Sequence, residues 1–304
     1  MAEQPDGLIT IQDYIRWGAT RFNRAGLWFG HGTDNALDEA AALVLGGLDL
    51  DPGLPVSFRG CRLTPAERVA VTDLIERRVT ERVPTAYLIG RAWFAGLRFD
   101  VDDQVLVPRS PIAELVEAGF EPWIDGERIG RVLDLCTGSG CIGIAAALFL
   151  PDADVDLVDI SPAALAVARR NVAHHGVEDR VRVLESNLFD ALAGQRYDVI
   201  VSNPPYVSAA EFAALPPEYH REPQLGLHGG DDGLDLVLLI LLEAARHLTE
   251  SGILILEVGN SARELEQRLP LVPWTWIEFE RGGEGVLLLT REQLVQHQGE
   301  FEGA

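Results

Sequence analysis

The spacing of apolar positions changes character twice along the 304 residues. Residues 8–83 read as helical. Ile11, Ile15, Trp17 and Phe22 recur at near-helical spacing in TIQDYIRWGATRFNRA, and Asp38 to Leu48 is a second apolar-rich segment. A third helix shows its start: Thr64 caps TPAERVAVTDLIERRVTERV, Pro65 takes the first helical position and Glu67 lies three residues past the cap. Residues 84–108 alternate aromatic and aliphatic side chains around Gly96 and Asp102–Asp103, the pattern of a β-hairpin.

From residue 109 onward the pattern becomes α/β. RVLDLC (131–136), VDLVDI (155–160), VRVLE (181–185), YDVIVS (197–202) and GILILEV (252–258) are strand-length apolar runs, most of them separated by helical segments. Ser161 and Pro162 start one such helix as cap and first residue. Runs of this kind suit a parallel sheet buried on both faces. WTWIEFERGGEGVLLLT (274–290) reads instead as two strands about a Gly-rich turn, an antiparallel hairpin on the sheet edge. The expected organisation is therefore a helical N-terminal domain (1–83), a hairpin linker (84–108) and an α/β domain (109–304). The polar tail beyond Gln296 is expected to fray.

Composition, 47% hydrophobic and 24% charged, is that of a globular protein. MAEQPDG lacks the basic-then-apolar pattern of a signal peptide. The run from Leu234 to Ala245 is broken by Asp235 and Glu243 and is too short to span a bilayer, so a cytoplasmic location is expected. Cys61, Cys136 and Cys141 form neither a CxxC pair nor a metal spacing, so no disulfide framework and no metal are expected. The seven histidines read as surface or helix-capping residues, with His174 and His175 near a helix C-terminus. Net charge is −22 and every basic residue is arginine. Such a surface repels bare phosphate backbones and attracts basic polypeptides.

Two turns carry candidate chemistry. In DLCTGSGCIGIA (134–145), Gly138 and Gly140 let the backbone turn tightly between a strand and a helix and bring a ligand to main-chain N–H groups. Asp159, at the end of the next strand, stands where a carboxylate takes the two hydroxyls of a ribose. Turn-capping is the structural alternative for Asp134 and helix-flanking for Asp159. The second turn is NPPY, Asn203 to Tyr206. Two prolines fix two φ angles and remove two donors, so the acceptors beside them are held stiffly. The Asn203 side-chain oxygen and the Pro204 carbonyl can accept both hydrogens of a planar NH2, pulling its nitrogen towards tetrahedral and aiming the lone pair. Pro205 stiffens this two-acceptor clamp and Tyr206 can lie flat on the planar group; a tight exit turn is the plainer reading.

DLCTGSGCI, VDIS, the strand into NPPYV and EPQLGLHGGDDGL (222–234) together resemble the HemK-type protein-glutamine methyltransferases, and the resemblance extends over nearly the whole chain, including VLVPRSP (105–111). It implies a class I S-adenosylmethionine-dependent methyltransferase fold: a Rossmann-like seven-stranded sheet with an antiparallel edge hairpin, plus a small helical N-terminal domain that selects the substrate. It implies methylation of a glutamine side-chain amide in a protein. One branch acts on the GGQ glutamine of peptide release factors, another on the third protein of the large ribosomal subunit. WFGHGTDNALDEA (28–40) and VPRSPIAEL resemble the ribosomal branch, whose substrate is a basic protein. By motif, Asn203, Pro204, Pro205 and Tyr206 hold the glutamine, while Asp134, Thr137, Gly138, Ser139, Gly140, Asp159 and Asn203 surround the cofactor. SNLF (186–189) departs from the family's SDxF. Asn187 can still bond the adenine amino group through its oxygen, and Leu188 either packs on the adenine or belongs to the core. Arg109, Glu114 and Glu222 are candidates to close over the substrate, a solvated salt bridge being the alternative for Arg109. Release-factor methylation remains open, as does a non-catalytic cofactor-fold scaffold. DNA adenine methylation by the same clamp is disfavoured by the charge.

Overall fold

The computed structural model describes residues 7–304. The chain forms two compact units: one comprises the residues up to Ala92 with Val101–Asp103 and Leu215–Glu222, the other Trp93–Asp100, Gln104–Ala214 and Pro223–Ala304.

In the first unit, helices Ile11–Ala25, Ala36–Gly47 and Pro65–Glu81 occupy the three segments that apolar spacing predicts. Thr10 with Asp13 and Thr64 with Glu67 form reciprocal capping boxes, and Asn35 caps the middle helix. Ile11, Tyr14, Ile15 and Phe22 meet Leu43, Val44, Val71 and Ile75 in one core, each burial worth about 1.5–3 kcal/mol. The core also encloses ions. Arg78 is fully buried, its Nε 2.8 Å from Glu39 Oε1 and its Nη2 donating to the Trp28 carbonyl at 3.0 Å. The Leu215–Glu222 segment joins this network: Glu218 accepts from the Trp28 N–H (3.1 Å) and pairs with Arg82 (3.1 Å). The 28–40 stretch is thus the clasp for a segment some 190 residues further along the chain. His31 is buried, 3.3 Å from Glu222 and stacked at an angle on Tyr219, which corrects its reading as a surface residue.

Where a hairpin is expected from residue 84, a short helix, Thr85–Ile89, comes first, because Pro84 presets its opening turn and Gly90, at φ +69°, ends it. The hairpin proper is β1 (Arg91–Phe94) with β2 (Leu97–Asp100).

The second unit is built on seven strands: β3 (Arg131–Leu135), β4 (Asp154–Asp159), β5 (Val181–Glu185), β6 (Tyr197–Ser202), β7 (Leu248–Glu257), β8 (Thr275–Trp276) and β9 (Val286–Thr290). Their order is β5-β4-β3-β6-β7-β9-β8, parallel from β5 to β7, with β9 antiparallel to β7 and β8 antiparallel to β9. This is the class I methyltransferase sheet. Register sorts the two faces. Val132, Val155, Val199 and Ile253 lie on one face with helices Cys141–Phe149 and Pro162–His175; Leu133, Ile200 and Leu254 lie on the other with helix Asp235–Ala244. Within the hairpin, β9 lies inside the sheet and only the two residues of β8 form the edge. VLLLT is apolar on both faces and is buried there, which an edge strand could not satisfy.

The tail does not fray. Helices Arg291–Gln296 and Gln298–Glu302 carry Leu294 and Phe301 into the second core of this unit, the one on the Leu133 face of the sheet. A single phenylalanine among polar residues produces no periodicity but still buries a large apolar surface. His247 is likewise buried, against expectation, and stacks on Phe189 with centroids 4.6 Å apart. Among the described residues, no helix is long and apolar enough to cross a membrane.

Candidate active site

The strand order reverses between β3 and β6, and crevices at such a switch are where doubly wound sheets take ligands. Leu135 pairs with Ser202, and the Ser202 hydroxyl donates to the Leu135 carbonyl at 2.8 Å. The turns that leave these two strands therefore begin side by side. They are the Gly-rich turn and NPPY.

The Gly-rich turn is organised by carboxylates. Asp134 Oδ2 accepts from the Thr137 hydroxyl (2.6 Å) and from the Gly143 N–H (2.9 Å), while Oδ1 is buried with no partner among the described residues. Burial pushes this carboxyl up to about 7, against the lowering effect of its two hydrogen bonds. Asp159 accepts from the Gly138 and Ser161 N–H groups, both at 2.9 Å, and burial raises its pKa as well. Ser139 is buried, its carbonyl bonded to Asn171, and Gly140, at φ +83°, opens helix Cys141–Phe149. An orphaned buried acceptor suits a cationic amino group, each Asp159 oxygen keeps a lone pair for a ribose hydroxyl, and the space around Gly138 is open. The residues present fit S-adenosylmethionine. Asn187 is exposed; Leu188 is half-buried against the second core with φ +47°. A leucine held in that left-handed region stores about 1–2 kcal/mol of strain, a mark of functional sites.

NPPY is held firmly at its tyrosine end. Pro204 and Pro205 are buried, Asn203 and Tyr206 half-buried. The Tyr206 hydroxyl donates to Glu257 Oε1 (2.9 Å), and the Ser261 hydroxyl donates to the Tyr206 carbonyl (2.9 Å). The 222–234 motif runs beneath: the Val207 N–H donates to the Leu227 carbonyl, and the Gly229 N–H to the Val207 carbonyl. A Cβ on Gly229 would stand 2.5 Å from the Pro205 oxygen, and one on Gly259 would stand 2.4 Å from the Tyr206 ring. Both positions need glycine for closeness of approach. Glu257, Ser110 and Ser261 escape sequence reasoning; the one available signal for Glu257 is a charge closing the apolar run of β7.

The substrate-side candidates fare differently. Arg109 is half-buried, its guanidinium donating to the Val107 carbonyl at 3.1 Å. Glu114 accepts from the Glu280 and Arg281 N–H groups and so anchors the β8–β9 turn. Glu222 is buried against His31, so its carboxylate is engaged inside the first unit and is not open to a substrate.

The buried Asp134 carries a pH signature. Its folded pKa lies above the unfolded value near 3.9, so the stability contributed by its neutral form is complete below about pH 4 and is lost as pH rises through about 7. Asp134→Asn should therefore gain melting temperature over the wild type progressively from pH 4.5 to 8 in the ligand-free protein. A gap that stays constant across this range would refute the shift.

Several known proteins are similar to this chain. The family described as methyltransferase small domain matches residues 121–215. A ribosomal protein uL3 glutamine methyltransferase of Xanthomonas campestris pv. campestris is 55% identical over 296 residues, covering 97% of this chain and 96% of that protein. One of Francisella tularensis subsp. tularensis is 48% identical over 298 residues, covering 98% and 95%. The hMettl16 catalytic domain, solved in complex with the MAT2A 3'UTR hairpin 6, superposes with a TM-score of 0.50 over 78% of this chain and 85% of that chain at 18% identity, a likeness of fold alone.

Proposed function

The chain belongs to the ribosomal protein uL3 glutamine methyltransferases, and from that premise we propose that it methylates a glutamine side-chain amide of uL3 with S-adenosylmethionine. The observation that carries the reading is NPPY locked in place beside a Gly-rich turn at the switch of a class I sheet. Relatives this similar over nearly their whole length favour uL3 over the release factor and over DNA.

In this reading Asp134, Thr137, Gly138, Ser139 and Gly140 hold the amino-acid end of the cofactor. Asp159 holds the ribose, and Asn187 and Leu188 hold the adenine. The bound cofactor supplies a sulfonium methyl with a good leaving group. What the chain must add is a competent nucleophile, since an amide nitrogen spreads its lone pair into the carbonyl. Asn203, through its side-chain oxygen, and Pro204, through its carbonyl, accept the two amide hydrogens, and the nitrogen lone pair is left aimed at the methyl. Pro205 keeps the acceptors rigid, Tyr206 flanks the amide plane, and Arg109 lies on the substrate side. The nitrogen loses its extra proton to water after transfer, and no general base is needed.

Recognition of the protein substrate is assigned to the helical residues 1–83, with 84–108 as linker and 109–304 as the catalytic part. Attraction of a basic protein has a different seat. The second compact unit carries 14 arginines against 31 aspartates and glutamates, the first 11 against 16. The cytoplasm is the proposed compartment, in keeping with three free cysteines.

A transfer assay with radiolabelled S-adenosylmethionine, run side by side on purified uL3, release factor and duplex DNA with mass spectrometry locating the methyl, tests the proposal. Label on a uL3 glutamine is expected; label confined to either of the others overturns the substrate assignment. Asp159→Ala should raise the cofactor dissociation constant about 10–100-fold by calorimetry, since it removes both a ribose acceptor and the anchor of the Gly138 turn. An unchanged constant would remove Asp159 from the cofactor site.

A further inference from the structure

Glu257 is the last residue of β7, the strand next to the one that ends in NPPY. Only 6% of it is exposed, and its two carboxylate oxygens are divided between two partners. Oε1 accepts from the Tyr206 hydroxyl at 2.9 Å and Oε2 from the Ser110 hydroxyl at 2.5 Å; Ser110 in turn accepts the Ile112 N–H at 3.2 Å. A buried carboxylate is expensive unless its oxygens are bonded, and replacing such a group by an apolar one is often neutral or better for stability. Fold stability alone is a weak reason to keep it there. Its bonds point elsewhere. One ends on the clamp tyrosine and the other on VPRSP, next to Arg109; burial raises the Glu257 pKa, and the bonds from Ser110 and Tyr206 and the charge of Arg109 act against that rise.

The Tyr206 ring is confined by two further groups of the same stretch of chain. Gly259, two residues after Glu257, brings its backbone close enough to the ring that no Cβ fits, and the Ser261 hydroxyl holds the tyrosine carbonyl. Three positions within five residues thus restrain the ring face, the hydroxyl and the main chain of one residue. Of these restraints, only the bond to Glu257 fixes the outer end of the ring.

We propose that Glu257 is a positioning residue for methyl transfer, acting through the Tyr206 hydroxyl to hold the clamp and through Ser110 to tie the VPRSP segment to the same point. This rests on the reading of NPPY as the amide clamp. The residue makes no contact with the reacting atoms, so its contribution is orientational.

The test combines kinetics with a readout that needs no turnover. Glu257→Ala should lower kcat about 100-fold while leaving the cofactor dissociation constant and the substrate KM within about threefold of wild type. Glu257→Gln keeps an oxygen acceptor and should recover most of the rate. In a Tyr206→Phe background, which has already lost the hydroxyl, Glu257→Ala should cost clearly less than in the wild-type background, the remainder being the Ser110 arm. Equal losses in both backgrounds, or a loss confined to KM or cofactor affinity, would overturn the proposal. In parallel, the protein carrying 3-fluorotyrosine is followed by fluorine NMR, the Tyr206 signal being assigned by its absence from Tyr206→Phe. That signal should be sharp in the wild type, shifted or broadened in Glu257→Ala and restored in Glu257→Gln; an unmoved signal in Glu257→Ala refutes the restraint. Failure of the wild type to label uL3 would defeat the substrate assignment without touching the NMR result, so the two failures are distinguishable.

Discussion

Asn203→Ala is expected to abolish methyl transfer, with a loss of at least about 10³-fold in kcat, while cofactor affinity and fold are retained. The magnitude follows from what is lost. Removing one preorganised hydrogen-bond partner from a catalytic site costs about 10²–10³ in rate, and Asn203 also orients the nucleophile. The fold is spared because Asn203 is half-buried and the turn is held independently by Glu257, Ser261 and the chain beneath it, so melting should move by no more than about 2 °C. Single-turnover assays with saturating cofactor, together with calorimetry, separate the two quantities. Parallel loss of cofactor binding would mean that Asn203 belongs to the cofactor cradle first and to the clamp second. Asn203→Asp keeps an oxygen acceptor at the same place and should retain measurable turnover, which an indispensable amide NH2 would not allow.

Arg78→Ala should be the most destabilising single substitution in the first unit, at about 3–5 kcal/mol. Its guanidinium is fully buried and divides its donors between Glu39 and the Trp28 carbonyl, with Glu218 3.6 Å away. Without it, Glu39 keeps hydroxyl donors from Thr33 and Thr85 and Glu218 keeps Arg82, yet neither arrangement replaces a buried cation. Against a typical domain stability of 5–15 kcal/mol, a loss of that size leaves the unit marginal at 37 °C. Urea denaturation followed by tryptophan fluorescence should show the midpoint falling in proportion, with Arg78→Lys intermediate. Lysine restores the charge but cannot reach two partners in a fixed fork. A shift below about 1 kcal/mol would mean that water enters and solvates the two glutamates, and that the network contributes little.

The two sites were legible in the sequence to different depths. NPPY and the Gly-rich turn announce themselves because proline and glycine constrain backbone dihedrals locally, and a local constraint is readable from a local string. Glu257 is equally part of the clamp but was not readable, since its bond to Tyr206 joins residues 51 apart and no spacing rule covers that distance. In sequence the 28–40 stretch is a family marker only. That its Trp28 clasps Glu218 is a fact about packing. Glu222 follows NPPY in the chain, but its carboxylate lies 3.3 Å from His31, a packing contact that no spacing rule predicts.

The amino-acid string alone carries the three N-terminal helices, the main strands of the sheet, the helix caps at Thr64 and Ser161, the change from a helical to an α/β pattern and the chemistry of the two turns. All of these rest on periodicities and dihedral preferences that act within a few residues. Packing across the fold settles that β9 inserts between β7 and β8, that Phe301 anchors the tail, and which carboxylates are buried and what they hold. Those outcomes depend on side chains far apart in sequence competing for the same buried space. The winner is set by total burial and hydrogen-bond satisfaction across the whole fold, which no short stretch of chain contains.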